Sequence, residues 1–235
     1  GRICRGMGMI DLSQINYIET PELISRVVAA LQSATPFSLA RWADSSNWIM
    51  THGDSPVEQL VYRESFMRRQ YFEEYKPHFL HGAASCDIFG CFRDDWTAKC
   101  LNESGIDFGG KLFIDPRCHT MVNDFPAWTE EVLMKPWRTL LVGNFMPAYA
   151  GWLKKHSKLD ITDAVMARGW WEVALTMEAI KERKPQLVLA SAGWFTSALI
   201  GAAKDAGAVA FSYGSVPERH IAGNNLPWGM KGERD

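Results

Sequence analysis

The chain has 235 residues, 47% hydrophobic and 22% charged, with 25 Lys and Arg against 27 Asp and Glu for a formal charge of −2. This composition supports one substantial core and excludes a disordered chain, while the near-neutral charge excludes a global basic field, so contact with nucleic acid needs a local patch. The five cysteines are odd in number and no apolar run reaches membrane-spanning length, which reads as a soluble protein with free thiols, cytoplasmic or, if viral, in the host cytoplasm.

Residues 1–19 read as irregular, a segment that packs late or lies along a sheet edge. Thr20-Pro21-Glu22 opens a helix, with Thr20 as cap and Pro21 at the first helical position, and Leu23, Ile24, Val27, Val28 and Leu31 give it one apolar face. Phe37-Ser38-Leu39-Ala40-Arg41 is strand-like and runs into a polar turn over residues 42–47. Trp48-Ile49-Met50 reads as a returning strand. Asp54-Ser55-Pro56 starts a long helix to about Tyr75, with Phe66 and Phe72 inside and Arg63, Arg68 and Arg69 outside.

Further on, Asp87-Ile88-Phe89-Gly90 is a strand entering a turn, followed by a helix near residues 96–101. Lys111-Leu112-Phe113-Ile114 is another strand, ending at Asp115-Pro116-Arg117. Residues 125–134 look helical, Thr139-Leu140-Leu141-Val142 is a buried strand ending in Gly143-Asn144, and a helix follows from about Pro147 to Lys155. Leu159-Asp160-Ile161 reads as an extended piece of loop, and residues 170–183 as a helix. Leu187-Val188-Leu189-Ala190-Ser191 is apolar without alternation, as in a strand covered on both faces; a small-residue turn, a helix to Asp205 with Gly207 as its stop, and a strand over residues 208–212 complete a βαβ unit. Strand, glycine turn and helix recur, which predicts an α/β fold: a single Rossmann-like domain with a mostly parallel sheet and flanking helices, and residues 216–235 as a lid or flexible tail.

Ligands of such sheets sit at the carboxyl ends of the strands, where backbone N–H groups suit phosphate. No GxGxxG, GxxxxGK[ST], GxSxG or HExxH pattern occurs, which disfavours dinucleotide dehydrogenases, P-loop NTPases, α/β-hydrolases and zincin proteases. Cys86, Cys91, Cys100, Cys118 and His119 lack a CxxC knuckle and read as buried thiols rather than a zinc site.

Four collinear segments carry a family resemblance. PFSLARWADSSNWIM resembles the start of the GT-D-fold glycosyltransferases, where a strand ending in Arg precedes G-D-G-E; CDIFGCFRDDW, TLLVGN and LVLASAGWFTSALIGAAKDAGAVAFSYGSV are similar to that family's later strand-and-turn segments. The resemblance spans about residues 20–218. It implies a GT-D-like fold and transfer of a sugar, glucose first, from a UDP-sugar to a hydroxyl acceptor such as a glycan. A phage-type DNA acceptor, a hydroxymethylated base such as 5-hydroxymethylcytosine, is the alternative, with Lys154, Lys155 and Lys158 as further phosphate contacts; a degenerate nucleotide-binding non-enzyme is another.

Residue by residue, Asp44 matches the first acid of the family's metal- and diphosphate-binding D-x-E motif, as metal ligand and catalytic candidate. Ser46 stands at the position of the Glu, which puts Mn²⁺ or Mg²⁺ dependence in doubt. Arg41 matches the family's Arg and Arg117 an Arg after the central strand, both suited to diphosphate. Gly143, Asn144, Ser191, Ala192, Gly193, Gly214 and Ser215 align with the donor-cleft turns. Asp115, like Asp44, Asp94 and Asp95, is a candidate base, and Trp42 and Trp194 are candidates for stacking on the acceptor.

Overall fold

A computed structural model describes residues 9–43, 46–47, 50, 69–167 and 170–230, with backbone alone at 69–73, 170 and 194. Its centre is a seven-stranded sheet: β1 Phe37–Trp42, β2 Ile88–Cys91, β3 Leu112–Ile114, β4 Arg138–Gly143, β5 Asp160–Val165, β6 Leu187–Ser191 and β7 Val209–Ser212. The order is β3-β2-β1-β7-β6-β4-β5 and every pairing is parallel. The fold is α/β and Rossmann-like. Parallel strands need crossovers, and here helices cover both faces, which is why β6 and β7 are buried at every position.

Alternation divides the core in two. Leu187 and Leu189 point to one face with Leu39 and Phe211, while Val188 and Ala190 point to the other with Ala40, Trp42 and Phe89. The first face is covered by α1 (Thr20–Ser33), α4 (Cys118–Met121), α5 (Pro126–Trp128, continued by a π-helical turn Thr129–Leu133) and α6 (Met146–His156). The second is covered by α2 (Arg69–Ser85), α3 (Asp95–Glu103), α7 (Trp170–Arg183) and α8 (Thr196–Asp205).

The edge role expected for the first residues is seen at Tyr17, which bridges Phe113 of β3, and at Ile18, whose N–H bonds the Phe113 carbonyl at 2.8 Å. Four local expectations change. Residues 160–165 form a strand rather than a loop: the polar sequence Asp-Ile-Thr-Asp suits the exposed edge where β5 pairs only with β4. Met50 is helical, as are Ser46 and Asn47, not part of a strand; Trp48, Ile49 and the predicted helical stretch 54–68 lie outside the described residues. α2 continues through Pro77 to Ser85, ten residues past the expected end at Tyr75. Residues 216–221, the start of the segment expected as a lid or flexible tail, form a short helix, α9 (Val216–Ile221), with Val216, Pro217 and His220 buried; residues 231–235 lie outside the described residues.

Candidate functional site

Neighbouring strands that send the chain to opposite faces leave a crevice between their carboxyl ends. β7 leads to α9 on the face of Val216, whereas the next described helix after β1, α2, lies on the opposite face; β4 leads to α6 and β6 to α8, again on opposite faces. A cavity of about 280 Å³ opens at these two switch points. β1 supplies Arg41, Ala43 and Ser46, β4 supplies Asn144, and β6 supplies Ser191 and Gly193. Thr196 and Ser197 come from α8, and Ser212, Gly214, Ser215 and Glu218 from β7 and its turn.

The turns are shaped by close backbone approach. At Gly143, with φ of 143°, a Cβ would lie 1.9 Å from the Ser191 carbonyl oxygen, which accepts from the Asn144 N–H at 3.2 Å. Ser191 in turn bonds through its hydroxyl to the Gly214 carbonyl, linking the β6 and β7 turns. Gly214, with φ of 53°, makes room for two side chains: a Cβ there would lie 2.4 Å from Arg41 Nη1 and 2.9 Å from His119 Nε2.

Arg41 is the cation of the site. It leaves β1 on the α4 face, where Nε donates to the Pro116 carbonyl at 2.5 Å; among the described residues its guanidinium makes no ion pair within 4 Å. Burial lowers its pKa, opposed by Cys118 and Asp115, but an arginine so displaced is still charged at neutral pH. A partly desolvated guanidinium facing a cavity is a strong anion receptor.

His119 was set aside in the sequence as part of a cysteine cluster, and no local pattern marks it otherwise. Its Nδ1 lies 2.9 Å from the Pro116 carbonyl, which only accepts, so the hydrogen sits on Nδ1 and Nε2 faces Gly214 as a bare acceptor. Burial, and then Arg41, push its pKa down to about 3. His220, buried under α9 with Nδ1 2.8 Å from the Tyr149 hydroxyl, is pushed by burial to about 4.

These two histidines give a stability prediction. Each binds a proton near pH 6.5 when unfolded but only at about 3 or 4 when folded, so between those values the unfolded chain holds more protons and stability rises with pH. Their contribution is complete above about pH 6.5 and is lost as the pH falls, on the order of 3 kcal/mol for each. Urea titrations from pH 7 to 4 are expected to show this decline, less steep in His220→Phe; an identical slope would remove His220 from the account.

The structure brings Arg41, Ser46, Asn144, Ser191, Gly193, Gly214 and Ser215 to one cavity, with Gly143 and the buried Ala192 in its turns. Asp115 and Arg117 are not in its lining: Arg117 pairs with Asp115 at 2.5 and 2.9 Å, and that hydrogen bond is the main cause of the lowered Asp115 pKa. Trp42 is a correction. Alternation along β1 turns it opposite to Arg41, into the core against Phe79 and Phe89, 1% exposed, its indole N–H bonded to Asn47 at 2.6 Å, so it has no face for an acceptor. Trp194 lies in the 3-10 turn Gly193–Phe195, its side chain outside the described residues.

Asp44, Arg63 and Arg68 lie outside the described residues, as does the Arg69 side chain. Lys154, Lys155 and Lys158 fall at and beyond the end of α6, which carries the chain to the amino edge of the sheet, away from the cavity.

The described residues do not make a cage for Mn²⁺ or Mg²⁺: Ser46 puts a neutral hydroxyl where the family pattern has a carboxylate, and no group of three or more His, Cys, Asp or Glu comes together among them. Cys86, Cys91, Cys100 and Cys118 are buried thiols, and burial raises the pKa of Cys86 to about 11 and those of Cys91 and Cys118 to about 12. No helix among the described residues is long and apolar enough to cross a membrane.

A family model described as a GT-D fold-like domain matches residues 85–220. Among curated proteins no sequence matches the chain. A solved structure described as the domain of unknown function 1792 with a distinct glycosyltransferase fold aligns at a TM-score of 0.60 with 12% identity, over 92% of this chain and 84% of that one. A second, described as a new glycosyltransferase of the same domain from Streptococcus sanguinis, aligns at 0.53 with 13% identity, over 90% and 87%. At such identities the likeness is one of fold.

Proposed function

The chain belongs to the GT-D-like family, and from that premise we propose that it is a glycosyltransferase that moves a sugar, glucose first, from a UDP-sugar to a hydroxyl acceptor such as a glycan. The observation that carries this reading is Arg41, a partly buried guanidinium open to a cavity of hydroxyls and backbone turns at the switch points of a parallel sheet. In the proposed reaction the acceptor oxygen bonds to the anomeric carbon as the bond from that carbon to the diphosphate breaks. Arg41 holds the diphosphate and stabilises the charge that gathers on it as it leaves. Ser191, Ser215 and the Gly143–Asn144 turn supply further polar contacts to the donor.

The test is thermal unfolding with UDP, UDP-glucose and other nucleotide sugars, with and without Mn²⁺. At a hundredfold excess over Kd a ligand of the native state adds about 2.7 kcal/mol, which for a chain of this size is a rise of about 5–10 °C. UDP-glucose is expected to give such a rise. No shift with any nucleotide sugar would overturn the proposal, and a shift that needs Mn²⁺ would make metal part of the donor site despite Ser46. Retention on DNA that falls with salt would point to the DNA acceptor instead.

A further inference from the structure

Among the described residues Glu218 is the one acidic side chain in the lining of the cavity, and no local sequence pattern singles it out for ligand binding. Its sequence context, Ser215-Val216-Pro217-Glu218, has the S-x-x-E spacing of a capping box, in which Glu would bond back to the cap residue's N–H. The structure does not make that box. Ser215 accepts no cap hydrogen bond from the helix and instead takes one from Arg219 Nε at 3.2 Å, and Glu218 Oε2 is buried with no hydrogen-bond partner among the described residues. Nor does Glu218 pair with Arg41, although both line the same cavity: no ion pair within 4 Å joins them among the described residues.

An unpartnered buried carboxylate oxygen is costly, and on a residue that lines a cavity it calls for a hydrogen-bond donor. Its position is also well fixed. α9 is held from below by Val216 and by His220 against the Tyr149 hydroxyl, so Glu218 cannot swing far from the cavity without disturbing that packing. A carboxylate only accepts hydrogen bonds, and it repels phosphate. The cavity is therefore polar in the other sense too, with a cation to take the diphosphate and an anion to take a neutral donor.

We propose that Glu218 accepts a hydrogen bond from a sugar hydroxyl in the cleft while Arg41 holds the diphosphate, so that the two side chains orient the nucleotide sugar end to end. This rests on the glycosyltransferase reading. The hydroxyl belongs either to the donor sugar or to the acceptor. In the second case Glu218 takes the acceptor proton as that oxygen bonds to the anomeric carbon and the carbon–diphosphate bond breaks with its electron pair going to UDP.

Glu218→Gln keeps the shape and removes the charge, and Glu218→Ala removes the group. Calorimetric binding of UDP and of UDP-glucose, with the pH profile of transfer, separates the cases. If the hydroxyl is the donor's, Glu218→Gln weakens UDP-glucose about tenfold, as expected for exchanging a charged acceptor for a neutral one, and leaves UDP unchanged. If it is the acceptor's, both affinities hold, turnover falls at least tenfold and the acidic limb of the pH profile disappears. In either case the melting temperature of the unliganded Glu218→Gln protein is not expected to drop, because Oε2 has no hydrogen bond to lose among the described residues. Loss of UDP affinity in Glu218→Gln would overturn the proposal by placing Glu218 at the uridine, whose ribose hydroxyls and ring N–H are hydrogen-bond donors, and unchanged binding, turnover and pH profile would overturn it as well. Wild-type protein that binds neither UDP nor UDP-glucose would instead bring down the glycosyltransferase reading, and this proposal with it.

Discussion

Replacing Arg41 by alanine is expected to reduce UDP-sugar affinity and transfer by about 10- to 100-fold with little loss of folding. The size follows from losing a charge-assisted, two-pronged contact, about 1.5–3 kcal/mol, at a tenfold change per 1.4 kcal/mol. The fold tolerates the change because, among the described residues, Arg41 contributes one hydrogen bond to the protein, to the Pro116 carbonyl, and that carbonyl keeps its bond from His119 Nδ1. Removing a desolvated cation also removes a cost. Arg41→Lys is expected to recover part of the affinity, since it restores the charge but not the planar fork. Isothermal titration with UDP, alongside a melting curve, checks both points. Unchanged UDP affinity in a folded Arg41→Ala protein would remove Arg41 from the donor site.

The largest stability effect is expected at Gly82. Helix propensity alone makes Gly→Ala stabilising by about 1 kcal/mol within a helix. At Gly82, however, a Cβ would lie 1.8 Å from the Ser197 carbonyl oxygen, and a Cβ at Gly201 would lie 2.8 Å from Gly82 Cα. α2 and α8 thus approach backbone to backbone, and neither contact is with a side chain that can move aside. Separating the helices costs about 3 kcal/mol and outweighs the propensity gain by about 2 kcal/mol, so Gly82→Ala is expected to lower Tm by about 4–8 °C. Because Ser197 also lines the cavity, ligand binding is expected to weaken with it. Gly151 in α6 is the control: nothing stands within 4 Å of a Cβ there, and Gly151→Ala is expected to leave Tm unchanged or raise it slightly. Equal melting temperatures for the two variants would show that the α2–α8 contact relaxes freely.

The correct and incorrect expectations divide along one line. Strands buried on both faces declare themselves through unbroken apolar runs, so Leu187–Ser191 and the core of Arg138–Gly143 were readable, and the recurrence of strand, glycine turn and helix pointed to the parallel sheet. β5 was not readable as a strand, because an edge strand needs apolar residues on only part of one face and Asp160–Val165 carries two aspartates and a threonine. Trp42 was misplaced for a related reason. Its position at the end of β1 is evident from the chain, but the face it points to depends on register within the sheet, where one residue separates cavity from core.

The α/β class, the approximate strands and helices, and the small-residue turns at strand ends are legible in the chain, because these depend on periodicity and on residues a few positions apart. Which turns meet depends on the folded sheet. The order β3-β2-β1-β7-β6-β4-β5 places the ends of β1, β4, β6 and β7 side by side, although their residues lie as many as 174 positions apart, from Arg41 to Ser215. That adjacency leaves Arg117 on Asp115 outside the cavity, puts His119 beside Arg41, and brings Glu218 to the cavity that Arg41 lines. Contacts of this kind are fixed by strand order and by steric room at Gly143 and Gly214, which no local stretch of the chain encodes.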